Sequence, residues 1–269
     1  MKSCIRYFGG KGNGLCKRLL SYFPDNYKEM NYLEPFGGSA AVLFDKEISP
    51  IEIYNDIEEN VYSLFKVLSD KDLFKEFKDK CDLTPYSKQI MEEFKLSLRE
   101  DDLSILERAY KYFIVNRTAY NGHGGFSASP AIRRKMSKSV SDYLSTVDRL
   151  YDIHQRLSKV IIHNRDAVDL IKKYDKENWM LYLDPPYHWS TRTAARYKED
   201  MDVEKQQEFL NALIGCENAK ILVSGYDCEE YDILVDNGWN KISFEVKTQN
   251  TNREGKTKVE TIWFNYNIS

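Results

Sequence analysis

The sequence predicts an α/β fold with a mainly parallel sheet, interrupted by a helical insertion and closed by an antiparallel pair of strands. Short apolar or aromatic runs alternate with segments of helical periodicity in the first and last parts of the chain. Between residues 58 and 115 strand signals vanish. There the pairs Leu64/Leu68 and Phe74/Phe77, then the run Leu103, Leu106, Tyr110 and Phe113, fall at spacings of three or four positions. The last two strand-like runs, 241–247 and 259–265, flank a basic polar loop, which predicts a terminal antiparallel hairpin.

The chain has 269 residues, 42% of them hydrophobic, enough for one large domain or two small ones. No apolar run approaches the ~20 residues of a membrane-spanning helix, and the first residues lack the apolar core of a signal peptide. The five cysteines are scattered without a C-x-x-C pair, which argues against a zinc site or a disulfide framework. The expectation is a cytoplasmic protein with reduced thiols. Net charge is −3, but charge is uneven: residues 124–141 contain no acid yet carry Arg133, Arg134, Lys135 and Lys138, and a second basic stretch, 247–258, includes Arg253.

In chain order, residues 5–14 place Tyr7, Gly10 and Lys11 in a glycine-rich approach to an amphipathic segment, 15–23. The run 31–34 reads as a strand, followed by the turn Glu34-Pro35-Phe36-Gly37-Gly38 and a helix over 40–46, with Ser39 a plausible cap. This turn is not the dinucleotide fingerprint G-x-G-x-x-G, so phosphate binding is not implied. A second strand, 51–54, ends in Asn55-Asp56, and an acid there is the usual partner for ribose hydroxyls. Together these features favour nucleoside binding. The helical stretch then leads into Asn116-Arg117-Thr118-Ala119-Tyr120-Asn121-Gly122-His123, where Asn-Gly signals a hairpin or projecting loop. Aromatics interleaved with Arg117, Arg133 and Arg134 suit nucleic acid. Alternation resumes with a helix over 141–157, a strand over 160–163 and a helix opened by Asp166-Ala167, where the carboxylate can cap the helix, accept a ligand amino group, or both. A strand over 179–183, a helix over 203–214, a strand over 220–224 and a helix over 228–236 precede the terminal pair, giving seven strands.

The strand 179–183 ends in Asp184-Pro185-Pro186-Tyr187. In open α/β sheets ligands bind at the carboxyl ends of strands. A carboxylate, two residues that donate no backbone hydrogen bond and an aromatic ring suit the holding of a planar, amino-bearing group.

These motifs in this order resemble the Dam-like family of S-adenosylmethionine-dependent adenine-N6 DNA methyltransferases: Arg6-x-x-Gly9-Gly10-Lys11, Glu34-Pro35-Phe36-Gly37-Gly38, Asp56, an insertion with Asn116-Arg117 and Tyr120-Asn121-Gly122, then Asp184-Pro185-Pro186-Tyr187. The resemblance spans nearly the whole chain. It implies a seven-stranded methyltransferase (Rossmann-like) sheet with the last strand antiparallel, a catalytic domain of residues 1–68 and 147–269, and a mostly helical target-recognition domain of 69–146. It implies that Tyr7, Gly10, Lys11 and the turn 34–38 line the cofactor, that Asp56 holds its ribose, and that Asp166 and Ala167 hold its adenine. Asp184, which also borders the cofactor, and the Pro185 carbonyl would accept the N–H bonds of the target amine, Pro186 would fix the backbone, and Tyr187 would stack on the flipped base. Arg117, Tyr120, Asn121, His123, Arg133, Arg134, Lys135, Lys138 and Arg253 would contact double-stranded DNA, with no metal required and the enzyme a monomer or weak dimer.

In relatives that methylate GATC, an Arg in the loop after Tyr-Asn-Gly reads guanine, whereas here that position is Gly125. The target sequence, and whether a restriction enzyme accompanies the protein, stay open. So do RNA adenine, cytosine N4 or a protein glutamine as acceptor, and a catalytically inactive DNA-binding relative. Asp184 and the basic insertion favour adenine in nucleic acid.

Overall fold

The computed structural model describes residues 1–7, 11, 14–186, 201–247 and 257–268. Helix α1 (Leu15–Leu20) leads to β1 (Asn31–Glu34), α2 (Ala41–Asp45) and β2 (Glu52–Asn55). Four helices follow, α3 (Glu59–Ser69), α4 (Lys71–Leu83), α5 (Lys88–Ser97) and α6 (Ile105–Thr118), where the apolar spacing predicts them. Each begins on a side chain that accepts backbone N–H groups: Glu58, Asp70, Ser87 and Ser104 respectively. A two-stranded ribbon, β3 (Ile132–Arg133) and β4 (Met136–Ser137), precedes α7 (Lys138–Asp148) and α8 (Leu150–Leu157). The chain then alternates through β5 (Ile161–His163), α9 (Ala167–Lys173), β6 (Trp179–Leu183), α10 (Val203–Ile214), β7 (Lys220–Gly225) and α11 (Asp232–Asp236) to β8 (Asn240–Lys247) and β9 (Thr257–Phe264).

The main sheet has seven strands in the order β5-β2-β1-β6-β7-β9-β8. The pairs β1/β2, β1/β6 and β6/β7 are parallel, and β9 runs antiparallel to both β7 and β8. The expected seven-stranded sheet with its antiparallel last strand is therefore present. Every residue of β2 and β6 is buried, as parallel strands covered on both faces require. Alternate residues Leu33, Ile53, Leu181, Leu183, Ile221 and Val223 enter one core with Ile171 of α9, Phe209 and Leu213 of α10, and Leu234 of α11.

Three local expectations are corrected. The helix expected over 141–157 starts at Lys138 and breaks at Arg149, whose Nε bonds the Ser145 carbonyl at 3.2 Å in the last turn of α7. Ser39 does not directly precede α2; Ala40 stands there with φ 55°, and its carbonyl accepts the Phe44 N–H. The helix over 228–236 is a 3-10 turn followed by the short α11.

The chain divides into two compact units. The first comprises Met1–Lys11, Gly38–Asp45 and Glu58–Asn164, and the second Gly12–Gly37, Lys46–Ile57 and Arg165–Ser269. In the first, Phe77 and Phe113 meet edge to face at 5.5 Å in a helical core. In the second, Lys46 and Glu52 form a buried ion pair at 2.5 Å, with Ser49 at 2.9 Å from the ammonium.

Candidate active site and nucleic-acid interface

In the second unit, the carboxyl ends of β1, β2 and β6 carry the residues singled out in the sequence. The strand-one turn is built around Asn55, which is 1% exposed. Its Nδ2 donates to the Pro35 carbonyl at 2.8 Å and to the Arg165 carbonyl at 3.0 Å, and its Oδ1 accepts the Arg165 N–H at 2.9 Å. Its own carbonyl accepts the Gly37 N–H at 2.8 Å. One carboxamide thus ties together the turn after β1, the end of β2 and the segment that opens α9. Asp56 follows it, 6% exposed.

Glu34 is 2% exposed and accepts the Tyr32 hydroxyl at 2.8 Å. Burial, with the Glu34 charge behind it, pushes the Tyr32 phenol well above its ordinary range. Phe36 turns its ring onto Phe209, edge to face at 5.7 Å. A Cβ on Gly37 would lie 2.0 Å from the Tyr54 ring, so the missing side chain makes room for an internal aromatic rather than for a ligand. Asp166 caps α9 through Oδ1, accepting the Val168 N–H at 2.8 Å and the Asp169 N–H at 3.4 Å, and remains exposed. At the end of β6, Asp184 is partly exposed, Pro185 buried and Pro186 partly exposed. Ser224 of β7 donates to Asp184 Oδ1 at 3.4 Å.

The first unit holds the other candidates. Lys11 is 3% exposed, and Gly38 (φ 49°) leaves room for the Tyr7 ring, which a Cβ would approach to 3.0 Å. Asn116, 2% exposed, is a second clamp: it accepts the Arg6 N–H and donates to the Arg6 carbonyl, both at 2.8 Å, and donates to the Gly122 carbonyl at 3.4 Å. The loop it holds is closed by the Ala119–Phe126 bridge and the Tyr120 N–H to Gly125 carbonyl bond at 2.7 Å. Asn121 (φ 52°) and Gly122 (φ 86°) take the left-handed conformations that the Asn-Gly signal predicts. Tyr120 is 59% exposed at its tip, with Asn121 and His123 also exposed.

Arg117, expected on the DNA-facing surface, is only 8% exposed. Its Nη2 donates to the Asp142 carbonyl at 3.4 Å, while its buried Nε has no partner. Burial, reinforced by the Arg6 guanidinium, lowers its pKa to about 10, so it remains cationic at neutral pH without a carboxylate bridge among the described residues. The β3–β4 ribbon turns through Arg134 (φ 52°) and Lys135 (φ 59°), two left-handed residues in the two-residue loop, as a type I′ turn demands. Arg133 and Lys138 reach Asp142 at 2.8 and 2.7 Å, and Arg134 reaches the Ser145 hydroxyl at 3.0 Å. Those two cations hold the Asp142 carboxyl below its ordinary range against the opposing effect of burial. Lys135 makes no such bond among the described residues.

Residues 7–254 match the family model of the D12 class N6 adenine-specific DNA methyltransferases. The chain belongs to that class. For a D12-class enzyme the methyl donor is S-adenosylmethionine and the acceptor is adenine N6 in DNA. No curated protein matches the chain. Among solved structures, a presumed RNA methyltransferase from Pyrococcus horikoshii is similar at 9% identity and a TM-score of 0.23, over 46% of this chain and 56% of that one. The match therefore spans little more than half of that protein, and at this TM-score the likeness carries no weight.

The acceptors at the sheet end fit the D12-class cofactor. A nearly buried carboxylate after β2 suits a diol, and a carboxylate at the opening of α9 suits an amino group, with Asp166 Oδ1 already serving the helix. Of the expected D12-class residues, Gly10, Tyr187 and Arg253 lie outside the described residues. The sequence reading missed Asn55, named only as the letter before Asp56, along with the Tyr54 ring behind Gly37 and Ser224 beside Asp184. An amide adjoining a predicted strand-end acid was the one signal available for Asn55. Among the described residues no helix is long and apolar enough to cross a membrane.

Proposed function

We propose that this D12-class protein methylates N6 of an adenine turned out of double-stranded DNA, with Asp184 and the Pro185 carbonyl accepting the hydrogen bonds of the amine. The observation that carries the reading is the partly exposed Asp184 carboxylate at the carboxyl end of the buried parallel strand β6, followed by the buried Pro185. The exocyclic amine of adenine is a poor nucleophile because its lone pair is delocalised into the ring. Two acceptors on its N–H bonds make the nitrogen more tetrahedral and aim the lone pair. Bound S-adenosylmethionine supplies a sulfonium methyl group for in-line transfer. The chain contributes orientation, which accounts for much of the acceleration in such reactions. Proline fixes the backbone that aims the carbonyl, and Tyr187 stacks on the base.

On this reading Tyr7, Gly10, Lys11, the turn 34–38, Asp56, Asp166 and Ala167 contact the cofactor. Residues 69–146 form the target-recognition domain, and residues 1–68 and 147–269 the catalytic one. Tyr120, Asn121 and His123 meet bases, and Arg133, Arg134, Lys135, Lys138 and Arg253 meet phosphates or bases. The enzyme works in the cytoplasm as a monomer or weak dimer.

The test is transfer of labelled methyl groups to unmethylated duplex DNA, followed by mapping of modified adenines. Asp184→Ala should abolish transfer while leaving cofactor affinity within about twofold, because it removes a contact made to the reacting amine. Transfer to RNA or protein but not to DNA would refute the substrate.

A further inference from the structure

We propose that Ser224 is a positioning residue for the acceptor carboxylate, holding Asp184 through a hydrogen-bond chain that begins at Tyr182. The inference rests on the reading of Asp184 as acceptor of the adenine amine. Pairing of Leu183 with Val223 sets Ser224 beside Asp184 on neighbouring parallel strands. Leu181, Leu183, Ile221 and Val223 face the apolar core, and Tyr182, Asp184 and Ser224 occupy the other parity. Ser224 is fully buried, with Oγ 2.9 Å from the Tyr182 hydroxyl and 3.4 Å from Asp184 Oδ1.

Proton counting sets the direction of the chain. An ionised carboxylate accepts only, and a serine hydroxyl has one proton. Ser224 therefore gives that proton to Asp184 and accepts the Tyr182 O–H in turn. Tyr182 is 1% exposed, so its hydroxyl has little access to water. The chain fixes the rotation of the carboxylate, and with it the direction from which the amine can donate. Tyr231, 8% exposed, is another neighbour close enough for the Asp184 charge to be felt at its phenol, which burial principally drives upward. Bonds to catalytic groups are often long before substrate is present and shorten in the reacting complex, which suits a 3.4 Å contact.

The proposal is tested with Ser224→Ala, Ser224→Thr and Tyr182→Phe in single-turnover methylation of unmethylated duplex DNA. Ser224→Ala should slow the transfer step by about tenfold, the scale of one hydrogen bond to a charged group. Cofactor Kd and DNA KM should stay within about twofold, since a defect confined to the transition state leaves ground-state binding alone. Ser224→Thr keeps the hydroxyl and should restore most of the rate. Tyr182→Phe should lose about threefold, having removed only the polarising partner. A Ser224→Ala rate equal to wild type, or an equal loss in Ser224→Thr, overturns the proposal, because packing rather than the hydroxyl would then matter. Should Ser224→Ala fail to fold, Tyr182→Phe decides: slower transfer supports the chain and an unchanged rate overturns it. Asp184→Ala separates the two levels of inference. Retained transfer in that variant would sink the acceptor reading itself.

Discussion

Replacing Asn55 by alanine tests how the sheet end is held together. The side chain makes three hydrogen bonds, to the Pro35 carbonyl and to both the carbonyl and N–H of Arg165, at 2.8 to 3.0 Å. At about 1 kcal/mol net for each, their loss alone costs about 3 kcal/mol. Asn55 is 1% exposed, so backbone groups left in its cavity are partly cut off from water. One such group unsatisfied adds about 1–3 kcal/mol, giving about 4–6 kcal/mol in all. That is a large share of the 5–15 kcal/mol by which domains are typically stable.

All four tryptophans, Trp179, Trp189, Trp239 and Trp263, fall within Arg165–Ser269, so intrinsic fluorescence during urea unfolding follows this unit. The Asn55→Ala midpoint should fall sharply, and cofactor affinity should fall by more than about tenfold even in conditions where the variant remains folded, because one tenfold step needs only about 1.4 kcal/mol of misplacement. Asn55→Asp is the control. It keeps the acceptor, loses both donors and places a charge in the same cavity, so it should be no more stable than the alanine variant. A loss below about 1 kcal/mol for Asn55→Ala would refute the reasoning, since it would mean that water replaces all three bonds at little cost.

Arg117→Met removes a buried cation whose Nε has no partner; stability in urea should stay level or rise, and a stability loss above about 2 kcal/mol would show the charge to be structural. Replacing Arg134-Lys135 with Asn-Gly should suit the type I′ turn better and raise thermal stability slightly, yet weaken DNA binding and flatten its salt slope by about two, one for each lost phosphate contact. An unchanged slope would show that these two cations point away from the DNA. Gly125 meets open space and its φ is not positive, so Gly125→Arg should fold with wild-type stability; mapping of methylated adenines should then show a new preference for guanine near the target, and identical maps would remove this position from base reading.

The strands were legible because periodicity is written directly in side-chain type. Trp179–Leu183 is apolar throughout because a central parallel strand has no solvent face, and the glycine turn and strand-end acid that precede it mark the same edge of the sheet. The β3–β4 ribbon was not legible. Each of its strands has two residues, and its turn uses Arg and Lys where asparagine and glycine would have announced it. The break at Arg149 was hidden for a related reason. The apolar spacing continues through it, and the carbonyl it frees is recaptured by a side chain that gives no sequence signal. Arg117 shows a third limit. A basic residue beside an exposed loop reads as surface charge, and its burial depends on packing that only the fold supplies.

The glycines and asparagines mark where sequence logic and structural cause part company. Gly37 was legible as a turn residue, but its cause is the Tyr54 ring, 2.0 Å from where a Cβ would lie. Asn55 and Asn116 were legible only as motif letters. Each is buried and meets backbone donors and acceptors from a segment distant in sequence, at positions 35 and 165 for one and at position 6 for the other. A carboxamide is the short neutral side chain that can do both at once. Aspartate lacks the donors and would bring a charge, and serine lacks the reach and the second donor. The candidate cofactor turn and the candidate base-reading loop are therefore fixed by the same device in different units. The loop that carries Tyr120 need not be rigid along its length: Asn116, itself tied to the Arg6 N–H and carbonyl, anchors it at the Gly122 carbonyl. That leaves Tyr120 exposed at its tip while the backbone behind it stays fixed, the arrangement a base-contacting residue requires.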